Sequence, residues 1–133
     1  MLADPATHDA IVALVHETYR RLSTPGSDPA ALMAHPDFAV AGPGLDEPAY
    51  EAADTRGMTE AVASWAFTWT AESIAVWCAG NVAWAQILRS VRTRRNGAED
   101  DVPYWTTGVF ARDAAGWRGR YWGGAEPQAN PRV

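Results

Sequence analysis

The sequence predicts an α+β domain, with helices gathered in the first half of the chain and a curved antiparallel sheet in the second. Three observations carry that prediction. Apolar residues recur at helical spacings as far as Trp69, and from Ile74 onward they alternate in segments rich in β-branched and aromatic side chains. The alternating segments are joined by turn sequences short enough to make consecutive strands antiparallel neighbours. The 133 residues, 47% hydrophobic and 20% charged, suit one globular unit rather than a disordered chain or a membrane span. A single domain is expected over 1–126, with a flexible tail over 127–133.

Taken in order, Ile11, Leu14, Val15, Thr18, Tyr19 and Leu22 mark a first helix from Pro5 to about Arg21. Ser23 to Ser27 supply breakers, and Asp28-Pro29 caps a short second helix reaching about Ala34. His35-Pro36 forces an extended step into a strand at Phe38 and Val40, which runs into the Gly42-Pro43-Gly44 turn. An acidic, irregular stretch from Leu45 to Arg56 precedes a third helix opening at Gly57, with Met58, Ala61, Val62, Trp65 and Trp69 on one face. Four strands follow, at Ile74 to Cys78, Val82 to about Arg94, Tyr104 to Arg112 and Trp117 to Trp122. Their links are Ala79-Gly80-Asn81, Asn96-Gly97 and Asp113 to Gly116.

Composition excludes several function classes. The net charge of −5 opposes binding to a polyanion, so nucleic acid is not an expected partner. Cys78 stands alone, which rules out an intrachain disulfide and reads as an inert buried thiol. Asp4, Pro5, His8 and Asp9 interrupt the N-terminus before any signal-like apolar run, so a cytoplasmic protein without membrane attachment is expected. No metal-ligand spacing, phosphate-cradling loop, nucleophile elbow or dinucleotide fingerprint occurs, and no cofactor or metal is expected. The chain has seven Trp, and all 11 of its basic residues are Arg.

The order helix, helix, strand, helix and four long strands resembles the nuclear-transport-factor-2-like superfamily, and within it the SnoaL-like polyketide cyclase and ketosteroid isomerase relatives. The residues carrying the resemblance are Asp28-Pro29, His35-Pro36-Asp37-Phe38, Gly57, Gly80-Asn81-Val82-Ala83-Trp84, and Thr106 to Arg112 leading to Gly116-Trp117-Arg118. These are turn and packing signatures rather than catalytic motifs. The resemblance implies a cone-shaped sheet wrapped around the three helices, a pocket between the concave face and the helices, and homodimerisation through outer sheet faces. It also places Tyr19 at the tyrosine position of ketosteroid isomerases. Their two acid positions fall on or beside Gly42 and Gly108, which removes two of the three groups that chemistry uses.

Alternation divides each strand between two faces. By analogy with the family, Trp84, Gln86, Leu88 and Ser90 are assigned to the concave face together with Tyr104, Thr106, Gly108 and Phe110. Trp65 and Trp69 on the third helix would complete an aromatic wall, with Tyr19, Gln86, Tyr104 and Thr106 as hydrogen-bonding points. Filling of the cone by these aromatics is the alternative. Arg120 and Trp122 on the last strand suggest stacking or anion recognition. The cluster Arg92, Arg94, Arg95 faces Glu99, Asp100 and Asp101 across a hairpin and reads as cross-strand ion pairing.

These residues point to a cofactor-free cyclase, isomerase or dehydratase acting on an apolar, ring-containing small molecule. Tyr19 would orient the substrate, and Asp54 in the acidic stretch or Glu126 beyond the last strand would move the proton. Asp46 and Glu51 are further candidates, while the whole acidic run can equally be a solvated surface. The competing readings are a non-catalytic binding or dimerising module, and a filled cone whose outer face, with Ile87, Val91, Trp105 and Val109, meets a protein partner.

Overall fold

The computed structural model describes residues 1–32, 38–42, 48–49, 52–64, 67–95 and 98–127, with backbone alone at 30, 48–49, 52–55, 63–64, 89–90, 93–95 and 98–100. The first helix, α1, runs Pro5–Leu22. Asp4 caps it, its carboxylate accepting the Thr7 N–H at 2.9 Å, and Pro5 opens the first turn where no N–H partner is needed. The hydrogen bonds from Thr7 lower the pKa of the Asp4 carboxyl from its ordinary value. Ile11, Val15 and Tyr19 recur every four residues and are fully or almost fully buried, so one stripe of α1 faces the sheet.

The expected second helix is a single 3-10 turn, Pro29–Leu32. Two short strands, β1 (Ala39–Ala41) and β2 (Pro48–Ala49), precede helix α2, Ala52–Ser64. Strands β3 (Thr68–Ala79), β4 (Val82–Arg95), β5 (Ala98–Asp113) and β6 (Gly116–Ala125) complete the chain. The expected tail lies outside the described residues from 128 on. No helix among the described residues is long and apolar enough to cross a membrane.

The third helix begins earlier and ends earlier than its pattern suggests. It opens at Ala52 and stops at Ser64, so Trp69 belongs to β3 and not to a helix face. The run Phe67-Thr68-Trp69-Thr70 is aromatic and β-branched, and strand propensity there overrides the three-and-four spacing. Trp65 lies outside the described residues.

All strands form one sheet in the order β2-β1-β6-β5-β4-β3. Consecutive strands from β3 to β6 are antiparallel, and β1 closes onto β6 in parallel. Two bulges interrupt the ladders, one between Ala71 and Ser73 on β3, the other opposite Val109 and Phe110 on β6, where Arg120 is the extra residue. The sheet is strongly curved. In a flat sheet β3 and β6 would lie about 14 Å apart, three strand spacings. Yet the Tyr19 ring of α1 lies 5.8 Å from Trp69 of β3 and 6.0 Å from Trp122 of β6. The core, built from Ile11, Val15 and Tyr19 with Phe38, Val76, Ala83, Ala85, Ile87, Phe110 and Trp122, lies on the concave side.

Register fixes the faces. Ala83, Ala85 and Ile87 of β4 stand opposite Phe110, Gly108 and Thr106 of β5, and all six are buried. Trp84, Gln86 and Leu88 stand opposite Val109, Thr107 and Trp105 on the outer face. The concave assignment therefore holds for β5 and is reversed for β4. Ile87 and Val91, expected outside, are 0% and 5% exposed.

Candidate functional site

Five rings form a continuous chain on the helix side of the sheet. Tyr104 of β5 meets Trp69 edge-on at 5.7 Å, Trp69 meets Tyr19 at 5.8 Å, Tyr19 meets Trp122 at 6.0 Å, and Trp122 meets Phe110 edge-on at 5.7 Å. Tilted and edge-to-face contacts at these spacings are the favoured aromatic geometry, because each positive ring edge meets a negative face. Four elements contribute: α1, β3, β5 and β6. Tyr19 lies at the centre, between two indoles, and Trp69 is flanked by two phenols.

Glycines make room for this arrangement, among them Gly124 and Gly108. A Cβ on Gly124 would overlap the Tyr104 hydroxyl and ring, so that ring lies against bare backbone of β6. A Cβ on Gly108 would stand 2.8 Å from Phe110 Cζ. Gly108 is one of the two places where the family resemblance puts an acid, and here the Phe110 ring occupies the space a side chain would need.

Among the described residues the buried polar side chains are all threonines, Thr7, Thr18, Thr59 and Thr106. The described interior thus offers hydroxyls and phenols rather than charge. Such a surface can grip a neutral ring by stacking and orient its carbonyl or hydroxyl by hydrogen bonding. No group of three or more His, Cys, Asp or Glu that could hold a metal occurs among the described residues.

The structure brings together part of the expected site. Tyr19, Trp69, Tyr104, Thr106, Phe110 and Trp122 share the helix side of the sheet, with Tyr19, Thr106, Phe110 and Trp122 buried. Trp84, Gln86 and Leu88 are on the other side, where Trp84 and Leu88 are exposed. Gln86 there clasps β5, donating from Nε2 to the Thr106 carbonyl at 3.4 Å and accepting from Thr107 Oγ1 at 3.1 Å. Arg120 is half-buried at the β6 bulge. That bulge also puts Trp117 on the same side as Trp122, although alternation alone separates them. Asp54 lies in the first turn of α2, not in an irregular loop, and Glu126 is exposed past the end of β6. His35, Asp46 and Glu51 lie outside the described residues.

Elsewhere, Arg92 Nε donates to Asp101 Oδ1 at 3.1 Å, the cross-strand pair its hairpin position predicts. Cys78 is half-buried, its thiol 3.5 Å from the Gly80 carbonyl. The charged groups with shifted acidity lie away from the rings. Hydrogen bonds from Arg20 and Arg21 pull the Glu17 carboxyl down to about 2, and the same contacts raise Arg20. Arg21 also reaches the Asp28 carbonyl at 2.9 Å, and Arg56 of α2 reaches Asp28 Oδ1 at 3.3 Å, linking α1, the 3-10 turn and α2. Sequence reasoning missed Ser23, read only as a helix breaker. Its Oγ accepts the Trp69 N–H at 2.9 Å and donates to the Tyr19 carbonyl at 2.7 Å.

With this geometry in hand, the sequence decides the lineage. A SnoaL-like domain profile matches residues 10–124. The chain belongs to the SnoaL-like domain family. No curated protein matches this family member in sequence. Among solved structures it is similar to a nuclear transport factor 2-like superfamily protein from Salmonella enterica, with TM-score 0.83 and 13% identity over 97% of this chain and 96% of that one. It is also similar to an NTF2-like protein with a cystatin-like fold from Novosphingobium aromaticivorans, with TM-score 0.79 and 17% identity over 92% and 83%. A third likeness is to the CaMKII hub of S. rosetta, with TM-score 0.76 and 21% identity over 96% and 100%. At these identities the likenesses establish the NTF2-like fold, a sheet cone around helices.

Proposed function

We propose that this SnoaL-like protein binds a neutral, apolar, ring-containing small molecule on its concave side and catalyses a cofactor-free proton transfer on it: a cyclisation, isomerisation or dehydration. The observation that supports this most is the five-ring chain that runs through Trp69 and Tyr19, in a described interior whose buried polar residues are threonines. Planar aromatic walls favour a planar ligand, and burying a charged ligand without a partner charge would be costly. Tyr19 and Tyr104 are the proposed donors to a ligand carbonyl or hydroxyl. Asp54 is the favoured proton carrier, because α2 packs against α1 and the 3-10 turn, while Glu126 is exposed. Trp65 and Arg120 are proposed to close the site, and the protein is read as cytoplasmic.

Nile red, a neutral polycyclic dye whose emission rises in apolar surroundings, tests the binding half of the proposal. Wild-type protein should bind it, Trp69→Leu should weaken binding about tenfold, and Trp84→Ser should leave it unchanged. Absence of binding by wild-type protein, or equal loss in both variants, would overturn the placement. The chemical half is tested by Tyr19→Phe and Asp54→Asn, each expected to slow turnover of a bound substrate at least about 100-fold with little change in affinity.

A second reading, a non-catalytic module that self-associates through the outer sheet face, is favoured by one observation. Val82, Trp84, Leu88 and Trp105 are 36–48% exposed on that face, an unusually apolar surface. A ligand recovered chemically unchanged after long incubation would support this reading over the first.

A further inference from the structure

We infer that Ser23 is a positioning residue, whose hydroxyl ties the backbones of Tyr19 and Trp69 together and so sets how their two rings meet. The inference rests on the reading above, that these rings hold the ligand. Ser23 is the C-cap of α1, with φ −88° and ψ −3°. A serine hydroxyl has one donor and can accept twice, and both functions are in use here. Oγ donates to the Tyr19 carbonyl at 2.7 Å and accepts the Trp69 N–H at 2.9 Å. The Ser23 N–H donates to the same carbonyl at 2.9 Å, so the hydroxyl is held from its own backbone as well.

The place of Trp69 in the sheet explains why this contact matters. β3 is the last strand of the sheet, and its open side is met by backbone of the N-terminus only at its far end, where Leu2 bridges Trp77 and the Cys78 N–H donates to the Met1 carbonyl at 3.2 Å. Ser23 supplies an acceptor at the one residue of β3 whose ring meets both Tyr19 and Tyr104. The segment Thr68–Ala71 is separated from the rest of β3 by the bulge before Ser73, so the downstream ladder holds its orientation less firmly than a continuous strand would. The neighbouring hydroxyls act differently. Thr24 Oγ1 donates to the Arg20 carbonyl and Ser27 Oγ to the Thr24 carbonyl, both at 2.8 Å, closing the end of α1 on itself. Ser23 instead carries the position of α1 across to the strand 46 residues away in sequence.

The experiment compares the full chain with Ser23→Ala and Ser23→Thr, well below the melting temperature of each. Two readouts are taken: Nile red affinity, and the indole N–H resonance of Trp69, assigned by its loss in Trp69→Phe. Ser23→Ala should weaken Nile red binding about tenfold and displace the Trp69 resonance, whereas Ser23→Thr, which keeps the hydroxyl, should stay within about twofold and leave the resonance near its wild-type position. A fall in melting temperature with both readouts unchanged would show a merely structural role and overturn the inference. Equal damage from Ser23→Thr would do the same. Should wild-type protein not bind Nile red, the ligand-site reading falls, and the resonance alone decides: displaced in Ser23→Ala and restored in Ser23→Thr supports the tie, unmoved overturns it.

Discussion

The two faces of the β4–β5 ladder follow opposite size rules. On the helix side, β4 presents Ala83, Ala85 and Ile87 to Phe110, Gly108 and Thr106, whereas on the outer side it presents Trp84, Gln86 and Leu88 to Val109, Thr107 and Trp105. The smaller set is the buried one. Ile11 and Val15 from α1, together with rings from β5 and β6, converge on the inside of the curve, and little volume remains there for β4. Side-chain size is thus a poor guide to which face of a curved sheet is interior.

The sharpest way to break the comparison is to remove a ring from each face. Phe110 is 0% exposed and packed edge-on against Trp122, so Phe110→Ala should cost about 3–5 kcal/mol in urea unfolding, through lost burial and the cavity left behind. Trp105 is 48% exposed, and Trp105→Ser should cost under about 1 kcal/mol in the isolated monomer. Comparable losses at both positions would contradict the assignment of faces.

Much of this contrast is legible in the sequence. The helix periodicity of α1, the turn sequences and the alternation of the last strands suffice for the fold. Arg95 stands opposite Ala98, which pairs every even position of β4 with an odd position of β5, as a two-residue link at Asn96-Gly97 requires. That register forbids Trp84 and Thr106 from sharing a face, which an analogy taken one strand at a time does not see. The bulges are a different matter. Nothing in Ala71-Glu72-Ser73 or Gly119-Arg120-Tyr121 announces an extra residue, yet each reverses the side on which the following residues fall. Trp69 was misplaced because helical spacing extended by chance into a strand.

A smaller effect is expected where a ring and bare backbone depend on each other. Gly124→Ala forces the Tyr104 ring off β6, and should destabilise by about 1–3 kcal/mol while changing the near-ultraviolet circular dichroism of the Tyr104–Trp69 pair. On the outer face Trp84→Ser should barely alter monomer stability, but should raise the concentration at which self-association appears in sedimentation. Unchanged association in the double variant Trp84→Ser, Trp105→Ser would remove the outer face from the self-association reading.

The smallest effect sharpens the comparison from outside both faces. Glu17 on the solvent side of α1 accepts from Arg20 at 2.7 Å and Arg21 at 3.0 Å, and its carboxyl titrates at about 2 instead of the usual 4.5. A carboxyl whose pKa is lowered by folding stabilises the folded state at pH above its unfolded pKa, and that contribution disappears as pH falls from about 4.5 toward 2. Both arginines hold the one, partly solvent-exposed Glu17 carboxylate, so salt should screen the effect and Glu17→Gln should slightly flatten the acid limb of a stability–pH profile. The aromatic interior should not respond, because no charge at Glu17 touches it. Near-ultraviolet circular dichroism of the ring chain should therefore be the same in Glu17→Gln and wild-type protein at neutral pH, and a change there would show that the α1 surface and the Tyr19–Trp69 contact are coupled through the helix.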